Sequence, residues 1–241
     1  MIDSYFSWLE NKYSSTVSLK KPIVIRLDGV GITKNKSIDV FNENISEFAY
    51  SLQITAQQLS QTYNSFVYVA SDEISIIFVD TDIFYNEFSS RKCQKSSSII
   101  TQYVSVIFNK LYKSSFIYFD ARTFNIPEEK VMSYIKCRVA SAKNVGVQYA
   151  AKKHLQFCNK TNKKLAEIES MLLEELPDFM TKNKYLLYGK LYYNGKELDL
   201  KRILESPSLP ISAMKDMCIN KKLNYDIADS LSIIDMQNDD M

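Results

Sequence analysis

The sequence has one histidine, one tryptophan, five glycines and five prolines in 241 residues. So few glycines and prolines exclude long disordered linkers and favour regular elements joined by short connections. The four cysteines, Cys93, Cys137, Cys158 and Cys218, lie far apart and include no C-x-x-C pair. A zinc ribbon and a disulfide scaffold both need closely spaced cysteines, so buried free thiols in a reducing compartment are expected. No apolar run approaches the ~20 residues that a membrane span requires. Residues 1–13 interleave Asp3 and Glu10 with aromatics and lack the apolar core of a signal peptide. A cytoplasmic protein with no membrane contact is expected.

What is present is an ordinary globular composition, 46% apolar and 24% charged. The length suffices for one large domain or a core with a helical appendage. The net charge is only +2, but its distribution is uneven. From Arg91 to Lys160 there are 13 Lys and Arg against 3 Asp and Glu. Such a segment suits a face presented to phosphates.

Aromatic residues from Ile2 to Tyr13 recur at near-helical spacing and suggest a short amphipathic helix. Pro22 opens the β-branched run Ile23 to Asp28, a strand that ends on a carboxylate and is followed by Gly29 and Gly31. From Asp39 to Tyr63 apolar residues step by three or four, predicting a helix packed on a sheet. Strands follow at Phe66 to Ala70 and Ile74 to Val79, with Ser71-Asp72-Glu73 as a hairpin tip. A helix from about Ser89 to Leu111 is predicted, with Ile100, Tyr103, Ile107 and Leu111 as its stripe, then a strand from Phe116 to Phe124. Pro127, Glu128 and Glu129 suit a helix first turn. That helix is expected to reach about Phe157 with a break near Gly146.

The order β-α-β-β-α-β predicts an α+β fold with a ferredoxin-like antiparallel sheet. A helix from Thr161 to Leu176, a hairpin around Asn194-Gly195 and a last helix from Ile211 follow, the Asn-Gly pair signalling a type I′ turn. Residues 1–160 are expected to form the catalytic domain. Residues 161–241 would be an extension packed on it as one compact unit, with the acidic end from Asp235 frayed.

In this topology the first and third strands are neighbours, so Asp28, Asp72 and Glu73 converge at one edge. Hard oxygen ligands without histidine or cysteine suit Mg²⁺, or Mn²⁺, rather than zinc. A pair of such ions serves phosphoryl and nucleotidyl transfer. The backbone of Gly29, Val30, Gly31 and Ile32 can turn its N–H groups to a triphosphate. Lys34, Lys36, Arg91, Lys92 and Lys95 can neutralise further charge, with Arg122 and Arg138 on later elements.

Ile25-Arg26-Leu27-Asp28-Gly29, Ala70 to Ser75 and Arg91-Lys92-x-x-Lys95 together resemble the tRNA(His) guanylyltransferase family and its 3′–5′ polymerase relatives. Phe119-Asp120-Ala121-Arg122 resembles the family's Phe-Asp-Gly-Arg, Tyr134 to Arg138 the stretch with its Trp-Arg-Gln, and Asn183 to Asn194 its closing Tyr-Gly-x-x-Tyr-Asn. The resemblance implies a polymerase palm that adds nucleotides to the 5′ end of RNA. It implies catalytic Asp28, Asp72 and Glu73, with two Mg²⁺ held by Asp28, the Gly29 carbonyl and Asp72. Nucleotide binding would fall to residues 29–32, Lys36, Ser71, Arg91, Lys92 and Lys95, and RNA or phosphate contacts to Arg122, Arg138 and Lys143. GTP and ATP as nucleotides, tRNA as partner and a homotetramer are further implications. Lys143-Asn144-Val145-Gly146 stands where the family carries His-Ile-Asn-Asn, and the lone His154 lies beyond it. Two alternatives remain open: a palm-domain synthase of cyclic or short oligonucleotide signals made from nucleoside triphosphates alone, and a non-catalytic scaffold or RNA-binding module.

Overall fold

In a computed structural model of the protein, the structure describes residues 5–6, 8, 16–32, 45–155, 164–182, 184–206 and 209–217. The first half runs β1 (Ile23–Gly29), α1 (Ile45–Thr62), β2 (Phe66–Ala70), β3 (Glu73–Phe78), α2 (Thr81–Phe88), α3 (Cys93–Leu111) and β4 (Phe119–Asn125). The long α4 (Val131–His154) follows, then α5 (Leu165–Glu175), α6 (Phe179–Lys182) and α7 (Lys184–Tyr188). The hairpin β5 (Lys190–Tyr193) and β6 (Lys196–Glu197) precedes α8 (Leu200–Glu205) and α9 (Ile211–Lys215). The strands form one antiparallel sheet in the order β4-β1-β3-β2-β5-β6. The predicted split arrangement is therefore present, and β5 from the later part of the chain extends it beside β2.

Strand alternation divides the apolar side chains between two cores. Ile23, Ile25 and Leu27 of β1 face α1 and α3 and pack with Leu52, Leu59, Ile100 and Phe108. Val24 faces the other way, toward Tyr134, Ile135 and Val139 of α4 and the hydrophobic residues after β5. On this second face β1 continues with Arg26 and Asp28 rather than apolar residues, so the α4-side core stops short of the strand end. That break in the apolar pattern leaves room for a polar cleft.

Several elements differ from the sequence expectation. The helix predicted from about Ser89 begins at Cys93, and the short α2, which the sequence reading did not anticipate, precedes it: Asp80 caps α2 by accepting from the Asp82 N–H at 3.0 Å, and Ser89 ends it at φ 45°. On α3 the buried stripe is Cys93, Ser96, Ile100, Val104 and Phe108, while Tyr103 is exposed. Both stripes have helical spacing, and the aromatic cluster of Phe108 with Phe48 and Phe119 selects the one that faces inward. The strand predicted from Phe116 begins at Phe119 and ends at Asn125. Helix α4 runs unbroken through Gly146, which is buried in its packed face beside Val147 and Ala150. The second strand of the Asn194-Gly195 hairpin has only two residues, Lys196–Glu197, and soon after it Asp199 caps α8 by accepting from the Arg202 N–H.

The Asn194-Gly195 turn has both residues at positive φ, 47° and 73°, the signature of a two-residue type I′ hairpin. Most of the first predicted helix, residues 39–44 of the second and the acidic end from Asp235 lie outside the described residues. No described helix is long and apolar enough to cross a membrane.

Buried Asn125 ties the segment before β1 to the sheet. Its Nδ2 donates to the carbonyls of Ser18 (2.9 Å), Lys21 (3.0 Å) and Pro22 (3.2 Å), and its Oδ1 accepts from the Ser18 N–H at 2.7 Å. Replacing it with alanine leaves several of these groups unpaired. Asn125→Ala should lower unfolding free energy by about 2–3 kcal/mol in urea titration; a change within about 0.5 kcal/mol refutes that role.

Candidate active site

Register brings the acidic residues together. Asp28 pairs across with Glu73 on β3 and with Asp120 on β4, and directly opposite residues share a face. Three carboxyl groups thus stand abreast where β1 ends. Asp72 joins them from the β2–β3 turn, which Ser71 enters at φ 54°. The Gly29 N–H donates to the Asp72 carbonyl at 3.0 Å, and Ser71 Oγ donates to Asp72 Oδ1 at 3.1 Å. A Cβ at Gly29 would fall 2.3 Å from Ile32 Cδ1, so a glycine there lets buried Ile32 tuck beneath the loop.

The cluster carries an electrostatic cost. Burial, then the charges of Asp72, Glu73 and Asp120, push the Asp28 carboxyl up to about 6, while Arg26 pulls it down. Asp72 is raised as well, chiefly by burial. Glu73 is compensated: Arg138 of α4 reaches it through both Nε (2.8 Å) and Nη2, and Ser75 Oγ donates to the same carboxylate at 3.2 Å. Tyr134 shares a 3.0 Å hydrogen bond with Ser75, continuing the network into the α4 core. Arg26 stands 3.9 Å from Glu73. Glu73 is therefore engaged by cations, whereas among the described residues neither Asp28 nor Asp72 has an ion-pair partner.

These groups line a cleft of about 470 Å³ between the Gly29–Gly31 loop, the β2–β3 turn and Ser141, Ala142 and Val145 of α4. Among the described residues no set of three His, Cys, Asp or Glu side chains is arranged to enclose a metal ion. Of the cleft carboxylates outside the Arg138 pair, Asp28, Asp72 and Asp120, the first two flank the glycine loop and the β2–β3 turn. That small, hard donor set fits Mg²⁺, which commonly takes one or two carboxylates and completes its shell with water and substrate phosphates.

The other predicted residues are distributed as follows. Val30 is exposed at the cleft mouth and its N–H donates to the Tyr118 carbonyl at 2.8 Å. Arg138 is in the cleft wall through Glu73. Lys143 points to α5 and pairs with Glu169 at 2.8 Å. Arg91, Lys92 and Lys95 are exposed around the start of α3 and do not line the carboxylate cleft. There the Val17 N–H donates to the Arg91 carbonyl at 2.9 Å. A second cleft of about 540 Å³ lies between α3 and β4, lined by Gln94, Ser97, Asp120 and Arg122 among others. Asp120 borders both clefts. Lys34 and Lys36 lie outside the described residues, and His154 is exposed in the last turn of α4.

Sequence reasoning quoted Asp120 in a motif without placing it among the site residues; the β1–β4 pairing was the available signal. It missed Ser141 and Tyr185 entirely. The Tyr185 hydroxyl is buried with no hydrogen-bond partner among the described residues, and the Asp72 charge contributes to holding it protonated.

The family model of tRNAHis guanylyltransferase matches residues 4–127, about half of the chain. The chain belongs to that family. Members of the tRNAHis guanylyltransferase family are nucleotidyltransferases that add nucleotides to the 5′ end of tRNA in the 3′–5′ direction. Similar solved structures include a bacterial tRNA(His) guanylyltransferase (Thg1)-like protein in complex with ATP. It has 20% identity and a TM-score of 0.61, with 80% of this chain and 86% of that one covered. The bacterial Thg1-like protein in complex with GTP has 22% identity and a TM-score of 0.57, covering 82% and 85%. The tRNA(His) guanylyltransferase of Saccharomyces cerevisiae has 16% identity and a TM-score of 0.60, covering 80% and 94%. At such identities the likeness establishes a shared palm-like fold for this family member. No curated protein matches the sequence.

Two outcomes follow for the carboxylate cluster. An acid raised from 3.8 to about 6 binds its proton more tightly in the native state, so metal-free protein should lose stability as pH rises from about 4 to about 6. Asp28→Asn should flatten that slope and add on the order of 1 kcal/mol at pH 7, discounted for the solvent reaching the group. Thermal melts in EDTA from pH 4 to 8 measure it, and an unchanged slope contradicts the assignment. Arg138→Met should cost about 3 kcal/mol by stranding Glu73, and adding Glu73→Gln should recover most of it. Urea titration of the single and double variants tests this, and a double variant as unstable as Arg138→Met would show that the charge pair is not the cause.

Proposed function

We propose that this chain adds nucleotides to the 5′ end of an RNA, tRNA being the leading candidate, using Asp28, Asp72 and the Gly29 carbonyl to hold two Mg²⁺. The observation that carries this reading is the pairing of Asp28 with Asp72 in one cleft, both raised in pKa and neither ion-paired among the described residues. Such a pair gains from a divalent cation what it loses to mutual repulsion. Bound Mg²⁺ supplies a lowered pKa for an attacking hydroxyl and charge compensation for a leaving pyrophosphate.

The protein's own groups prepare the geometry. The Gly29–Ile32 loop offers backbone to the triphosphate, and its 3.0 Å bond to Asp72 keeps the loop and turn in step. Arg138 holds Glu73 in place, which makes Glu73 a positioning group in this reading. Arg91, Lys92 and Lys95 meet phosphates of the RNA or of an activating ATP from the side of the second cleft. In the reaction the 3′-hydroxyl of the incoming nucleotide, GTP for example, attacks the α-phosphorus of an RNA 5′-triphosphate. A P–O–C bond forms, the hydroxyl proton is lost and pyrophosphate leaves. With a 5′-monophosphate, prior adenylylation by ATP makes AMP the leaving group. A cytoplasmic homo-oligomer belongs to the same proposal.

Purified protein with Mg²⁺ and each labelled nucleoside triphosphate, with and without a 5′-truncated tRNA, tests the reading. Product should require the RNA and vanish in EDTA. Asp72→Ala should lose at least about 10³-fold in rate, as expected when metal-assisted stabilisation is removed, while its circular dichroism spectrum is unchanged. An active Asp72→Ala enzyme would sink the metal assignment, and product from nucleotides alone would identify an oligonucleotide-signal synthase instead.

A further inference from the structure

The row of side chains leading from residue 116 into β4 has an unusual composition. Ile117 and Phe119 point into the core beneath the sheet and are 3% and 6% exposed. Between and before them Tyr118 and Phe116 point the opposite way, 65% and 63% exposed. Register sets Asp120 and Arg122 of β4 on the face that carries Asp28, and exposed Tyr118 and Phe116 stand just before the strand. Tyr118 precedes Asp120 by two residues. The Phe116 and Tyr118 rings meet edge to face with centroids 4.9 Å apart. The Val30 N–H bond to the Tyr118 carbonyl fastens this segment to the glycine loop, and exposed Val30 adjoins it.

Folding does not require these rings outside. Singly exposed apolar residues are common, but two aromatics and a valine grouped at the mouth of a cleft form a patch of the kind that marks a binding surface. The surroundings select its occupant. In sequence the pair falls within the basic stretch from Arg91 to Lys160, with exposed Lys113 before it and exposed Arg122 after it, so an anionic partner is favoured. Exposed aromatic rings in a basic segment suit unpaired nucleobases, which stack on π-faces while cationic side chains neutralise the phosphates.

We propose that Phe116 and Tyr118 form a stacking platform for an unpaired base of the RNA end entering the cleft. Its backbone then tracks along the row toward Asp120 and Asp28. The platform binds RNA and takes no part in bond making. This inference rests on the 5′-end addition reading, and its test separates the two.

The Phe116→Ala/Tyr118→Ala variant should fold as the parent does, because both side chains are exposed; melting temperatures check this. A 3′-fluorescein-labelled RNA hairpin with one unpaired 5′ nucleotide is titrated by anisotropy without metal, and GTP affinity is measured separately by calorimetry. The double variant should bind the RNA roughly 10- to 100-fold more weakly, the range expected for losing one stacked base, with GTP affinity unchanged. Phe116→Tyr/Tyr118→Phe, which keeps both rings, should bind within about twofold of the parent, since stacking tolerates any π-face. Unchanged RNA affinity in the alanine variant, or an equal loss for GTP, overturns the platform. If the parent transfers nucleotides to RNA but the alanine variant keeps full affinity, 5′-end addition stands and the platform falls. If the parent binds RNA through these rings but transfers nothing to it, the platform stands and 5′-end addition falls.

Discussion

Asp28 stands directly opposite Glu73 on one side and Asp120 on the other, and ionised carboxyl groups so placed repel across both strand pairs. Antiparallel hydrogen bonding along β1, β3 and β4 holds them in register against that repulsion. The apolar part of β1, buried on both faces, anchors the strand whose last residues carry the charge. One face packs on α1 and α3, the other on α4, and the strand end projects past the α4-side core. The cluster is tolerable because Arg138 reaches across from α4 to Glu73. The helix that covers the sheet is thus also the element that sets the local charge balance.

This arrangement links stability to function in opposite directions. Compensation of Glu73 by a fixed guanidinium makes a rigid wall, since breaking the pair would strand a buried charge. Asp28, by contrast, is raised by burial and by the charges of Asp72, Glu73 and Asp120, and Asp72 chiefly by burial, with no ion-pair partner for either among the described residues. A native state that carries unfavourable carboxylates is one in which cation binding relieves strain already present. The same logic explains why the glycine loop and the β2–β3 turn are tied by backbone rather than by charged side chains. The Gly29–Asp72 bond positions the ligands without neutralising them.

The second cleft, the exposed start of α3 and the aromatic pair at the entrance lie along β4 or the segment that enters it, β4 being the edge strand beside β1. An edge strand has one side without a sheet partner, and here its outer rim carries polar, basic and aromatic side chains. Asp120 borders both clefts, so anything bound along the rim is led to Asp28. The extended substrate of a family that works on RNA ends needs such a path as much as it needs the carboxylates.

Much of this was legible in the residues. The β-branched run ending at Asp28, the Ser-Asp-Glu hairpin tip and the Asn-Gly turn are local signals, set by strand propensity and turn chemistry that act over a few residues. Their order specified the split topology and the α+β class. What needed tertiary structure was every choice among equivalent local patterns. Two helical stripes on α3 were compatible with the spacing, and the Phe48, Phe108 and Phe119 cluster decided which turned inward. Gly146 could have ended α4, but packing around Val147 and Ala150 kept it helical. Glu73 and Lys143 looked like free site residues until folding set each beside an opposite charge, Arg138 and Glu169. Asp120 joined the site only through cross-strand register. Sequence alone determined the order of the main strands and long helices and where the carboxylates sit along them, because those are short-range effects; the short helices, partners, pKa values and the route into the cleft were decided by contacts between residues dozens of positions apart.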